Sequence, residues 1–260
     1  MSYWIDSHCH MNDDIYYENF DEYMIKAQKN NVLISNLVCL NKKDLERSFE
    51  LHEKYPQLDI SFGYFPEDCE AIGQQDLIYL EKIIGDDNRI KMLGEIGLDY
   101  HYGKENKEKQ IDLFVKQIKI ANKFNKTIMI HTRDASEDTY NILKEYARTK
   151  VLMHCFSEST EMMERYLKLG YYISFSGIVT FKNAINPQKN VIACPVERIL
   201  TETDCPYLTP VPFRGKTNET SYVCYTGEYI AQLKNISIDC LQENIIKNYK
   251  YLTGVVDEKD

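Results

Sequence analysis

His8 and His10 flank a single residue just past the strand-like run Tyr3, Trp4, Ile5, Asp6. At a period of two, both imidazoles point to the same side. Two nitrogen donors so placed are half a metal site. The other half recurs along the chain, because Glu95, His131, His154 and Asp204 each stand at the C-terminal end of a β-like apolar run. Six donors in equivalent positions, imidazole mixed with carboxylate, imply one shared centre for metal ions. The chain has only six histidines. His52 lies in a helical run and reads as a surface or capping residue, and His101, in the loop after Asp99 and Tyr100, edges the site without ligating.

The elements that must position these donors follow from hydrophobic periodicity. Strand-like segments are expected at 3–7, 32–39, 59–65, 91–96, 127–131, 151–155, 171–176 and 199–203. Helical patterns lie between them at 18–30, 42–55, 75–85, 107–124, 135–148 and 159–169, followed by an irregular stretch near 183–193 and two terminal helices within 222–252. Leu113, Ile118, Ile120, Ala121 and Phe124 give one of these helices its apolar stripe. Strict alternation of strand and helix implies parallel strands. Eight such units in 260 residues give an α/β fold, a (β/α)8 TIM barrel of the metallo-dependent hydrolase type. In that fold the C-terminal ends of the strands carry the active site, which is where all six donors fall.

Composition narrows the function further. Hydrophobic residues make up 43% and charged residues 27%, and no linker-like tract divides the chain. One domain over 1–254 is expected, with residues 255–260 as a frayed acidic tail. No run approaches the ~18 apolar residues of a membrane span, and the N-terminus lacks the pattern of a signal peptide, so a cytoplasmic protein with no membrane contact and no obligate protein partner is expected. Eight cysteines, dispersed and without a CxxC pair, read as reduced thiols. A net charge of -9 argues against broad attraction to nucleic acid, and any site for a polyanion must be local.

Five ordered blocks then carry a family resemblance: Asp6-Ser7-His8-Cys9-His10, Gly94-Glu95-Ile96-Gly97-Leu98-Asp99-Tyr100, Ile130-His131-Thr132-Arg133-Asp134-Ala135, His154-Cys155-Phe156-Ser157 and Glu202-Thr203-Asp204-Cys205-Pro206-Tyr207-Leu208. Together they resemble the TatD family of metal-dependent hydrolases, described as deoxyribonucleases or phosphoesterases. The resemblance implies two divalent ions, with His8, His10 and Asp204 on one, His131 and His154 on the other, and Glu95 bridging. Such a pair can activate a water and stabilise charge on a phosphoryl centre. Glu95 and Asp204 are the catalytic candidates, Asp204 as acceptor of the proton from that water. The donor set suits Zn, Mn, Fe or Mg.

Around this centre Arg133 either clamps phosphate oxygens or pairs with Asp134 or Glu137. Arg214 and Lys216 add positive charge, while Phe156, Tyr207 and Tyr100 either stack on bases or pack the loops. A departure follows strand three, where the family's Gly-x-His-Pro-His is Gly63-Tyr64-Phe65-Pro66-Glu67 here. An aromatic ring and a carboxylate replace two histidines, which makes phosphate less welcome. The expected function is hydrolysis of a phosphodiester, DNA foremost. The alternatives are a two-metal hydrolase of another ester or an amide, and a metal-binding protein with little turnover.

Overall fold

The computed structural model describes residues 2–102 and 104–255. Eight strands form one sheet in sequence order: β1 (Trp4–Cys9), β2 (Val32–Cys39), β3 (Leu58–Phe62), β4 (Ile90–Asp99), β5 (Thr127–Arg133), β6 (Val151–Met153), β7 (Tyr172–Phe175) and β8 (Ile199–Thr201). Every paired neighbour is parallel. The last strand meets the first through isolated bonds, with no regular ladder. Thr201 Oγ1 donates to the Ile5 carbonyl (2.9 Å), and the Asp204 N–H donates to the His8 carbonyl (3.0 Å). At the same seam the buried Asp6 carboxylate accepts from Thr203 N–H (2.8 Å) and Thr203 Oγ1 (2.7 Å). Burial pushes the Asp6 carboxyl up to about 7 despite these bonds. The barrel is the expected TIM-type fold.

Ten α-helices are present among the described residues: α1 (Asp14–Tyr17), α2 (Phe20–Lys29), α3 (Lys42–Lys54), α4 (Gln74–Asp86), α5 (Lys107–Lys123), α6 (Ser136–Tyr146), α7 (Thr160–Lys168), α8 (Ile185–Ala193), α9 (Val223–Lys234) and α10 (Ile238–Thr253). The starts are written in side-chain chemistry. Asn41, Ser159 and Ser237 each accept a backbone N–H from the first turn of α3, α7 and α10. Gly254 closes α10 with φ 72°. The stretch expected to be irregular near 183–193 is the regular helix α8, whose Pro187 sits in the first turn, where a missing N–H costs nothing. Of the expected tail, residues 256–260 lie outside the described residues. None of the described helices is long and apolar enough to cross a membrane.

Two strands depart from regular pairing where donors sit. Between Asp6 and Cys9, β1 advances three residues while β2 advances two, from Ser35 to Leu37. Between Leu93 and Ile96, β4 likewise advances three against two on β5, from Ile128 to Ile130. Each is an extra residue in one strand, a device that bends the strand and re-aims side chains. The first interval contains His8 and the second Glu95.

Candidate metal centre

The six donors converge on one end of the barrel, though not all at strand ends as expected. His8 lies within β1 and Glu95 in the middle of β4, which continues to Asp99. His131 is inside β5. His154 directly follows β6, and Asp204 stands three residues past β8. Glycine makes the β4 arrangement possible: Gly97 adopts φ 148°, and a Cβ there would meet the His131 carbonyl oxygen at 1.9 Å. Only a residue without a side chain lets β4 approach the His131 backbone so closely. Asp204 itself adopts φ 54°, a left-handed conformation that aspartate tolerates better than most residues.

Glu95 is the hub. Its Oε1 lies 2.9 Å from His131 Nδ1 and 2.7 Å from His154 Nε2. Its Oε2 lies 3.5 Å from His8 Nε2 and 4.0 Å from His10 Nε2. Asp204 Oδ1 completes the second group, 3.5 Å from His8 Nε2 and 3.7 Å from His10 Nε2. The His8 and His10 Nε2 atoms are only 3.1 Å apart, and the His8 and His154 rings stack at 4.0 Å. Four imidazoles thus turn nitrogen atoms toward two carboxylates in a largely buried space. Donors spaced this closely suit a cation: His8, His10 and Glu95 form one group able to hold a metal ion, and Glu95, His131 and His154 another.

Burial and the carboxylates act in opposite directions on these imidazoles. Burial works against charge on His10, but Asp204 and Glu95 outweigh it and raise the imidazole to about 9. His154 is likewise raised against its burial by Glu95 and Glu202, and His8, buried beside His154, is pushed down. Glu95 stays well below the usual carboxylate range because the surrounding histidines overcome its own desolvation.

Three carboxylates behind the donors escaped the sequence reading as parts of the site. Asp99 Oδ2 is 2.9 Å from His131 Nε2, Glu202 Oε1 is 3.4 Å from His154 Nδ1, and Asp6 holds the adjacent seam. A third metal-capable group, His8, His154 and Glu202, overlaps the other two. The signal was present for all three, since Asp6, Asp99 and Glu202 lie inside the quoted motifs. The two glutamines of α5 were also missed. Gln110 clamps the Asp99 backbone (2.8 Å both ways), and Gln117 clamps that of Tyr64 (2.8 and 2.9 Å). Seven residues apart, they share the buried face of the helix and fix the loops after β3 and β4.

Around the donors, Arg133 pairs with neither Asp134 nor Glu137, which bond His101 and Arg165 instead. Its guanidinium sits over the exposed Tyr102 ring at 4.9 Å, and that of Arg214 sits over Phe181 at 3.7 Å. Neither arginine has a carboxylate partner among the described residues. Tyr207 is 66% exposed, whereas Phe156 is 4% exposed and packs edge-on against Tyr166. Phe156 therefore packs its loop and offers no face for stacking, because its ring is already covered. Tyr100 also packs, its hydroxyl donating to Asp138 at 2.9 Å. His101 is at the rim, bonded to Asp134 and outside the donor cluster. His52 bonds the Leu58 carbonyl through Nδ1 at 2.6 Å, tying α3 to β3 far from the centre.

Comparison with known proteins agrees with the fold. A protein of Bacillus subtilis named as the uncharacterized metal-dependent hydrolase YabD is 38% identical over 95% of this chain and 97% of its own length. The Escherichia coli protein named as the uncharacterized metal-dependent hydrolase YcfH is 36% identical over 95% of this chain and 94% of its own. Among solved structures, YJJV, a TatD homologue from E. coli, superposes with a TM-score of 0.91 at 24% identity, covering 97% of this chain and 98% of that one. The family model of the TatD related DNases matches residues 5–254, so this chain belongs to that family.

Proposed function

We propose that the chain is a metal-dependent hydrolase of phosphodiesters, DNA foremost, with His8, His10 and Asp204 holding one divalent ion, His131 and His154 a second, and Glu95 shared. The observation that carries this reading is the division of the Glu95 carboxylate, one oxygen toward each histidine pair. Bound there, the ions would lower the pKa of a water and neutralise charge developing on phosphorus. Asp204 would accept the proton from that water. Its side chain is 17% exposed against 5% for Glu95, so it is the carboxylate of the cluster that solvent reaches. Arg133 and Arg214, which form no ion pair among the described residues, offer guanidinium groups to phosphate oxygens. Eight free cysteines suit a reducing compartment such as the cytoplasm.

A second reading, hydrolysis of a less anionic ester or an amide, rests on Glu67. This exposed carboxylate faces Asp99, His131 and Arg133 and repels a dianion approaching them. The test is a panel of nitrophenyl phosphodiesters, single-stranded and duplex DNA, carboxylesters and amides, each with several divalent metals. Metal-dependent turnover greatest on phosphodiesters supports the first reading, and preference for a neutral ester or amide supports the second. Metal uptake with no turnover on any substrate would leave a binding protein. In the same assay Asp204→Asn should lose at least ~100-fold in kcat, the lower range for removing a general base. Metal content is measured alongside, and activity within a few-fold of wild type would take Asp204 out of the proton transfer.

A further inference from the structure

His131 and His154 turn different nitrogens toward the same oxygen. His131 presents Nδ1 to Glu95 Oε1 and His154 presents Nε2. Each ring therefore has its other nitrogen pointing away toward a buried carboxylate, hydrogen-bonded for His131 and at ion-pair distance without a formed hydrogen bond for His154. His131 Nε2 meets Asp99 Oδ2 at 2.9 Å, and His154 Nδ1 meets Glu202 Oε1 at 3.4 Å. Asp99 is 1% exposed and Glu202 fully buried. His8 differs, since its outward Nδ1 faces the Met129 thioether at 3.0 Å, a weak acceptor.

We propose that Asp99 and Glu202 are positioning residues that set opposite tautomers in His131 and His154, so that one offers Nδ1 and the other Nε2 to a shared metal ion. This rests on the metal reading above. A neutral imidazole has one N–H and one lone pair, and the partner of the N–H decides which nitrogen is left to bind. A carboxylate can only accept, so it holds the proton on the nitrogen that faces it. Asp99 is itself held rigidly. Its Oδ1 accepts the N–H groups of His101 (2.9 Å) and Tyr102 (3.3 Å), and Gln110 brackets its backbone from α5. That leaves Oδ2 for His131 alone.

The arrangement predicts an unusual order of variants. Asp99→Asn keeps Oδ1 for the two loop N–H groups and turns its amide, a donor, on His131 Nε2. The ring must then accept at Nε2 and carry its proton on Nδ1, the nitrogen the metal needs. Asp99→Ala frees the tautomer without forcing the wrong one. A merely structural Asp99 would give the reverse order, because alanine also abandons the loop N–H groups.

The experiment is calorimetric titration of the metal-free full-length protein with zinc, together with imidazole 15N NMR of the zinc-loaded wild type. One binding step should weaken by ~10- to 100-fold in Asp99→Asn, less in Asp99→Ala, and in the same step for Glu202→Gln. The NMR should show zinc on His131 Nδ1 and His154 Nε2. Zinc on His131 Nε2, or Asp99→Ala binding more weakly than Asp99→Asn, would overturn the proposal. The wild-type spectrum decides even if a variant does not fold. Wild type that takes up no zinc or other divalent ion at this cluster would instead overturn the metal reading itself, which separates the two failures.

Discussion

At the scale of single residues, the centre turns on one side chain that serves two groups of histidines. If Glu95 is the shared ligand, removing it must weaken both ions together. Metal titration of Glu95→Ala should therefore lose affinity in both binding steps, with occupancy falling below the wild-type value. His52→Ala is the control, because its imidazole bonds the Leu58 carbonyl away from the centre and its loss should leave metal content unchanged. Two undiminished steps in Glu95→Ala would end the bridging assignment. The rim residues obey the same local logic. Arg133 and Arg214 lie over aromatic rings and form no ion pair among the described residues, whereas Arg165, Lys54 and Lys109 are already paired with carboxylates.

At the scale of elements, the strands bring the donors together and the helices hold the strands. One tie is titratable. The Tyr249 hydroxyl of α10 donates to Asp59 Oδ2 of β3 at 2.9 Å, and burial raises the Asp59 carboxyl above its ordinary value despite that bond. A carboxyl raised in the folded state holds its proton where the unfolded chain has already lost it, so stability falls as pH climbs above ~4 toward the raised value. Asp59→Asn keeps an acceptor for Tyr249 and removes the titration. Its melting temperature relative to wild type should therefore rise with pH from ~4 to neutrality, and a difference constant with pH would rule Asp59 out.

The loop after β3 sets a second prediction at this scale. Phe65 meets the His131 ring edge-on at 4.7 Å, and Glu67 lies exposed beside it. Water screens an exposed charge, so its repulsion of a phosphate is about 1 kcal/mol at contact distance, far less than a buried pair would give. Glu67→His should accordingly raise kcat/KM on a phosphodiester by roughly 3- to 10-fold, chiefly through KM, and leave a neutral carboxylester unchanged. Equal gains on both substrates, or none on either, would show that this loop does not set charge preference.

At the scale of the whole molecule, a net charge of -9 leaves little long-range attraction for a polyanion. Binding of DNA then depends on the few cations at the rim. The affinity for single-stranded DNA should fall with salt with a log–log slope no steeper than about -3, since each neutralised phosphate contributes about -0.7. Arg133→Gln should reduce that slope by about one contact. A slope near -7 would instead require a broad basic surface, against which the net charge of -9 argues.

The histidines and carboxylates that cluster, and the alternation of strands and helices, were legible in the linear sequence. Alternation follows from hydrophobic period, and in a parallel barrel every strand ends on the same face, so residues near those ends converge even though His8 and Glu95 lie inside β1 and β4. The helix near 183–193 was missed because Pro187 masks a helix it does not break. What the linear pattern could not contain was the partner each donor turns away from the centre. Asp99 and Glu202 sit in strands or loops like any acidic residue, and only folding brings one against His131 Nε2 and the other against His154 Nδ1. Nor could periodicity show that β1 and β4 each slip by one residue at a donor, or that Phe156 turns inward while Tyr207 stays in solvent. Such choices depend on neighbours distant in sequence, whose packing decides which nitrogen, which oxygen and which ring face the substrate.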